Sequence, residues 1–197
     1  MSPWRSRLLG LAFFLSGFAA LVYQVVWQRA LFALFGVNVE AVTVVVTAFM
    51  AGLGLGSLLG GRLSERLPGL GSFAVIELLL AAIGATSLPF LAWVGDVSAG
   101  MGSLSIALMT IALIFVPTAL MGATLPILVA HAAPRSGNTG HTVGTLYSVN
   151  TLGSAVAAAG TVLLLASLGQ QRTTWVAAGV NVTVSALGYG LSRRSAT

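Results

Sequence analysis

The sequence predicts an all-α membrane protein with six transmembrane helices in one bundle, and three observations support this. First, 57% of the 197 residues are hydrophobic and only 7% are charged, whereas about 25% of the residues of a soluble domain are charged. So few charges cannot cover a water-facing surface of this size. Lipid is therefore the expected outer solvent. The six apolar runs and the arginine distribution are the other two observations.

Charged and turn-forming residues separate the six apolar runs. The predicted spans cover residues 8–27, 41–61, 72–94, 104–130, 143–168 and 174–191, each close to the roughly 20 residues that cross a bilayer. Arg5 and Arg7 before the first run also suit a signal peptide, but the run is long and lacks a clean cleavage site, which favours an uncleaved span. We expect one transmembrane domain at 1–192 and a basic cytoplasmic tail at 193–197.

The arginines are distributed unevenly between the two ends of the predicted spans. Because cytoplasmic loops carry an excess of Lys and Arg, the side with more arginines is expected to be cytoplasmic, and both termini lie there. The net charge of +5 then reflects topology and not nucleic-acid binding. The seven arginines on this side are Arg5, Arg7, Arg62, Arg66, Arg135, Arg193 and Arg194, against Arg29 and Arg172 on the other.

Small residues recur every four positions in the second run. Ala48, Gly52, Gly56 and Gly60 would share one helical face, and such a face allows another backbone to approach closely. In the fourth run, Pro117 and Pro126 each remove one backbone donor and predict a kink. A kinked helix is equally consistent with a moving cavity wall and with a simple bend.

Glu77 is the clearest ionisable residue at membrane depth, since it lies inside the third run. Such residues are costly to bury and mark functional sites. One interpretation is a cation or proton site. The alternative, slightly favoured from the sequence, is a structural pair with Arg62, Arg66 or His131.

Further polar residues are candidates for a solute site. Cross-helix hydrogen bonding and interfacial anchoring are the simpler explanations for most of them. Glu40 at the start of the second run is expected to pair with Arg29 or to attract cations at the outer mouth. The predicted solute-binding residues are Tyr23, Gln24, Trp27, Gln28, Glu40, Glu77 and Asn150, and the predicted gating or structural residues are Arg29, Arg62, Glu65, Arg66, Gly52, Gly56, Pro117 and Pro126.

Several kinds of chemistry are not expected. The chain has no Cys and no Lys, its four acidic residues are scattered, and no glycine-rich phosphate loop occurs. His131 and His141 lack a third ligand for a metal. We therefore expect no enzyme activity, no cofactor and no metal.

Four segments of the chain form a distinctive combination: LVYQVVWQR at 21–29 with Phe35-Gly36, AFMAGLGLGS at 48–57, Pro117 with LMGATLP at 120–126, and GTLYSVNTLG at 144–153. Together they resemble the membrane domain of bacterial fused transporter/spermidine synthase-like proteins. The resemblance implies half of a major facilitator-type bundle. Residues 61–66 with Gly69 are similar to the loop between helices two and three of that superfamily, with Glu65 at its acidic position, although its further basic residues are absent.

The resemblance does not extend to the aminopropyltransferase-like half of that family, so aminopropyl transfer is not implied for these 197 residues. The first functional hypothesis is a half-size transporter in the cytoplasmic (inner) membrane. It would act as a parallel homodimer on a small organic solute, for which a polyamine-like cation is one candidate. The second is a non-transporting anchor or regulatory module for a spermidine synthase-like enzyme. A third is a structural bundle for contacts with lipid or protein.

The arginine bias leads to a testable topology. We expect positions 66 and 135 to be cytoplasmic and position 96 to be external. Because the chain contains no Cys, single Cys replacements at these positions can be labelled in whole cells with a membrane-impermeant maleimide. Only position 96 should react before permeabilisation, and all three should react after it. Labelling of position 135 in intact cells would refute this topology.

Overall fold

The computed structural model describes residues 3–35, 39–66, 69–98 and 100–193, and all regular structure within them is helical. The helices are α1 (Pro3–Phe35), α2 (Val39–Arg66), α3 (Leu70–Val97), α4 (Ser103–Ser136) and α5 (Thr139–Arg193). All five contain stretches long and apolar enough to cross a membrane. The predicted all-α class is confirmed. The count of six crossings stays a prediction, since it requires α5 to cross twice.

Glycine and asparagine set the boundary between α4 and α5. Gly137 adopts a left-handed conformation (φ 72°), and its N–H donates to the carbonyl of Ala133 at 3.1 Å. This is a common way for a helix to end, because glycine has no Cβ to oppose positive φ. The next residue, Asn138, accepts a hydrogen bond from the N–H of His141 through Oδ1 at 2.9 Å and caps the start of α5.

The long helix α5 is interrupted at Gly169, whose φ of 74° and ψ of 175° are non-helical. Before it, Asn150 and Ser154 donate to the carbonyls of Phe13 and Gly17, so this first arm runs parallel to α1. After it, successive residues of α5 bond to residues that lie earlier and earlier in α3. Trp175 donates to Ala85, Asn181 to Glu77 and Ser185 to Ala74, so this second arm runs antiparallel to α3.

The two arms of α5 therefore run in opposite directions. Ser16 of α1 bonds Glu77 of α3, and Trp27 bonds Ser87, so α1 and α3 are parallel to each other. Because the first arm of α5 is parallel to α1 and the second arm is antiparallel to α3, the two arms are antiparallel to each other. The chain reverses at Gly169, between the predicted spans 143–168 and 174–191.

The glycine face of α2 packs directly on α4. A Cβ atom on Gly56 would overlap the backbone of Ala119, and one on Gly60 would lie 2.6 Å from the Cα of Ala123. In return, a Cβ on Gly122 of α4 would overlap the backbone of Leu53. This is the close approach that the four-residue spacing predicts. Pro117 and Pro126 lie inside α4, which continues as one helix through both.

The α2–α4 contact leads to a prediction about stability. We expect Gly56→Leu to lower the free energy of unfolding by about 1–3 kcal/mol or more, because the side chain has no space against the α4 backbone. Gly54→Leu is the matched control, since a Cβ at Gly54 meets nothing within 4 Å. Thermal unfolding in mild detergent would measure both. Leu55→Ala, at a residue 47% exposed, should also melt near the wild type. Equal melting of Gly56→Leu and Gly54→Leu would contradict the prediction.

Candidate functional site

The carboxylate of Glu77 lies in the packed interior, where α1, α3 and the second arm of α5 meet. Its side chain is 0% exposed. Ser16 of α1 donates its hydroxyl to Oε1 at 2.5 Å, and Asn181 of α5 donates Nδ2 to Oε2 at 2.5 Å. Both donors are themselves buried, at 6% and 2% exposure. Each carboxylate oxygen thus receives one hydrogen bond from a different neighbouring helix.

The charged partners considered from the sequence do not lie at Glu77. Among the described residues, Arg62 and Arg66 make no ion pair, and His131 instead accepts a hydrogen bond at its backbone carbonyl from Arg135. The predicted structural pair of Glu77 with one of these basic residues is therefore wrong. Its observed partners are the hydroxyl of Ser16 and the amide of Asn181. Neutral donors solvate a carboxylate but leave its charge uncompensated, which is costly in an apolar interior. Such a group gains stability by binding a proton or a small cation.

Two buried polar atoms near the contact of α1, α3 and the second arm of α5 have no hydrogen-bond partner within the described part of the chain. They are Oδ1 of Asn181 and the hydroxyl of Tyr23. The Tyr23 ring lies against Gly84 of α3, where a Cβ would overlap it. Because buried polar groups are nearly always bonded, the free Oδ1 beside a carboxylate indicates that the amide has spare capacity to accept a donor or a cation.

Tyr23 and Trp27 form one aromatic pair on the α1–α3 seam. Their rings stack with centroids 5.2 Å apart, and Trp27 donates its indole N–H to Ser87 Oγ at 2.8 Å. Ser87 Oγ in turn donates to the carbonyl of Gly84 at 2.7 Å. The sequence grouped Tyr23 and Trp27 with Gln24 as a solute site. The structure separates them, because Gln24 lies on a different face of α1.

A cavity of about 290 Å³ lies on that other face, lined by α1, α2, α4 and the first arm of α5. Gln24 and Asn150, both predicted solute contacts, line it together. Ser16 also lines it while donating its hydroxyl to Glu77. Ser16 thus contacts both the carboxylate and the cavity. The polar residues around the cavity are Ser16, Gln24, Ser57, Thr124, Tyr147, Asn150 and Ser154.

The remaining predicted residues whose side chains the structure describes do not line this cavity. Gln28 is half-buried and Arg29 is exposed, while the side chain of Glu40 lies outside the described part, so the expected Arg29–Glu40 contact is not tested. Pro117 lines a separate, mostly apolar pocket of about 320 Å³ beside Trp27. Arg62, Glu65 and Arg66 are exposed at the end of α2.

Sequence reasoning missed Ser16 and missed Asn181 as a partner of Glu77. A signal for Ser16 exists, because Ser16, Ala20 and Gln24 recur at four-residue spacing on one face of α1, and all three line the cavity. For Asn181 the sequence offers only a polar residue on an apolar helix. Its pairing with a residue 104 positions away depends on how the helices pack.

The chemistry available at this site comes from oxygen atoms and amides. No group of three or more His, Cys, Asp or Glu side chains that could hold a metal ion occurs in the described ranges. One carboxylate with hydroxyl and amide oxygens nearby suits a proton or a monovalent cation. Comparisons with protein-family models, curated proteins and solved structures give no match for this chain.

The geometry predicts that Glu77→Gln retains the folded structure. The amide oxygen can accept from Ser16, and its N–H₂ can donate to Asn181 Oδ1 if the Asn181 amide rotates by half a turn. Glu77→Ala should instead lose about 2 kcal/mol or more of stability, because it leaves a cavity and two buried donors without acceptors. Thermal unfolding in detergent compares the two variants. If Glu77→Gln melts as early as Glu77→Ala, the fold depends on the charge itself.

Proposed function

We propose that this chain is a half-size, cation- or proton-coupled transporter of a small polar organic solute, working as a parallel homodimer in the cytoplasmic membrane. One observation carries the proposal. A fully buried carboxylate, with no cationic partner among the described residues, accepts a hydrogen bond from Ser16, and Ser16 also lines a cavity between helices that contains several polar side chains. Buried carboxylates at membrane depth are characteristic of proton and ion pathways.

Six membrane crossings are part of this proposal. The opposite directions of the two α5 arms support a separate crossing for each, which gives an even number of spans. With the arginine bias, both termini are then cytoplasmic. Two copies of such a chain have the same orientation, as do two halves of a transporter related by an axis along the membrane normal.

Coupling in this proposal depends on the direction of the Ser16 hydrogen bond. With Glu77 ionised, the Ser16 hydroxyl proton is directed to Oε1, as in the structure. When Oε1 takes up a proton, the carboxylic acid donates to Ser16 Oγ. The Ser16 proton is then free to donate to a group in the cavity. The protonation state of Glu77 thereby changes the hydrogen-bond donors that a solute in the cavity contacts.

The composition of the cavity supports a solute with several hydrogen-bonding groups. Amides of Gln24 and Asn150 and the hydroxyl of Tyr147 each offer donor and acceptor atoms. A volume of about 290 Å³ is at the small end for ligand sites. In the homodimer, the two cavities combine across the twofold axis and accommodate a longer molecule. Polyamine-like cations fit this proposal through the resemblance noted from the sequence.

Uptake into proteoliposomes tests the proposal. A screen of polyamines, amino acids and drug-like cations under an imposed pH or sodium gradient should identify a solute. Glu77→Gln should then lose at least about 90% of gradient-driven accumulation while retaining solute exchange, because its amide cannot take up or release the coupling ion. Asp96→Asn, at an exposed carboxylate, is the matched control and should transport normally.

Two results would count against the proposal. Wild-type coupling in Glu77→Gln would remove Glu77 from the mechanism. A strictly monomeric particle by native mass spectrometry, with no uptake of any solute, would favour the anchor for a spermidine synthase-like enzyme. Crosslinking of Cys placed at position 24 or 121, both lining the cavity, would report whether two copies face each other there.

A further inference from the structure

A long groove separates α2 from α3. No described residues of these two consecutive helices come into close contact, although α2 packs extensively on α4 and α3 on α5. The groove has a volume of about 1290 Å³, and α4 forms its floor. Its sides are mostly apolar and include Leu59 and Leu63 of α2 and Val75 and Leu79 of α3. These four side chains are exposed and, in a membrane, they face acyl chains.

Charged residues lie at one end of this groove. Arg62, Glu65 and Arg66 all border it and are all exposed. Within the described residues, none of the three makes an ion pair, so the two guanidinium groups remain available to an anion. The first turn of α3 is at the same end, and its start at Gly69 has no side-chain cap. Helix N-termini carry partial positive charge, so the balance at this end is positive despite Glu65.

The length of the groove matches one leaflet of a bilayer. Along α2 it extends from Gly56 to Arg66, ten residues at about 1.5 Å each, or roughly 15 Å. Half of a hydrocarbon core about 30 Å thick is also roughly 15 Å. Positive charge at one end and an apolar channel one leaflet long complement a phospholipid with an anionic headgroup. A water-soluble anion would leave the apolar sides unused.

We infer that the groove between α2 and α3 is a binding site for one anionic phospholipid. The phosphate lies at Arg62 and Arg66, and an acyl chain lies along Leu63, Val75 and Leu79. Arginine pairs phosphate through two parallel hydrogen bonds, and basic pockets between membrane helices bind anionic headgroups. The bound lipid connects two helices that do not touch each other. This inference does not depend on transport.

Native mass spectrometry of the full chain in mild detergent tests the site, with phosphatidylglycerol and phosphatidylcholine of identical acyl chains as probes. The wild type should retain one phosphatidylglycerol in preference to phosphatidylcholine. The Arg62→Gln/Arg66→Gln variant should retain about tenfold less phosphatidylglycerol. Arg7→Gln/Arg172→Gln is the matched control. It removes the same charge at exposed arginines outside the groove and should bind like the wild type.

A second variant tests the acyl-chain part of the site. Val75→Trp, at a residue 58% exposed on the side of the groove, should reduce retention of both lipids while leaving thermal unfolding in lipid-free detergent unchanged. Equal retention of the two lipids by the wild type, or equal loss of phosphatidylglycerol in the Arg7/Arg172 control, would overturn the inference. Displacement of the lipid by millimolar glycerol 3-phosphate would also overturn it, because the site would then bind a soluble phosphate.

Discussion

Helices in lipid gain little from burying leucine against leucine, because the acyl chains that they displace are equally apolar. What holds such helices together is close approach of their backbones, with the dense van der Waals contact that it allows. In this protein glycines provide it at two contacts. Gly56 and Gly122 bring α2 and α4 together, while Gly17 and Gly153 do the same for α1 and the first arm of α5, where an added Cβ would overlap the opposite backbone in each case.

The other structural features follow from this pairing. Because α2 is drawn onto α4, it does not reach α3, and a groove opens on the outside between them. Because α1 is drawn onto α5, the polar residues Gln24 and Asn150 face the space between these two helix pairs. A cavity inside and a groove outside thus have the same physical origin. Neither requires a special loop or an insertion.

At Glu77, polar side chains make hydrogen bonds between three neighbouring helices. Ser16, Asn181 and Ser185 bond across helices there, and Asn181 leaves an acceptor unused. Hydrogen bonds between membrane helices contribute only about 1 kcal/mol each, so stability alone does not account for burying a carboxylate. We expect this site to tolerate a change in the charge of Glu77, because Ser16 can reverse its hydrogen bond and the Asn181 amide can rotate.

The sequence by itself determined the helical membrane class, the break between the spans at 143–168 and 174–191, and the small-residue face of α2. These features are local, since they depend on apolar run length, on glycine conformation and on a four-residue period within one helix. The sequence also identified Glu77 as the ionisable residue at membrane depth. It could not identify its partners, and the arginines favoured from charge alone are not bonded to it.

Only the tertiary structure decided which faces meet. Tyr23 packs against α3 while its neighbour Gln24 lines the cavity, because adjacent residues on a helix point about 100° apart. Ser16 and Asn181 lie 61 and 104 residues from Glu77. Their contact depends on how three helices are rotated about their axes, which the packing of the whole bundle decides and no local sequence pattern specifies.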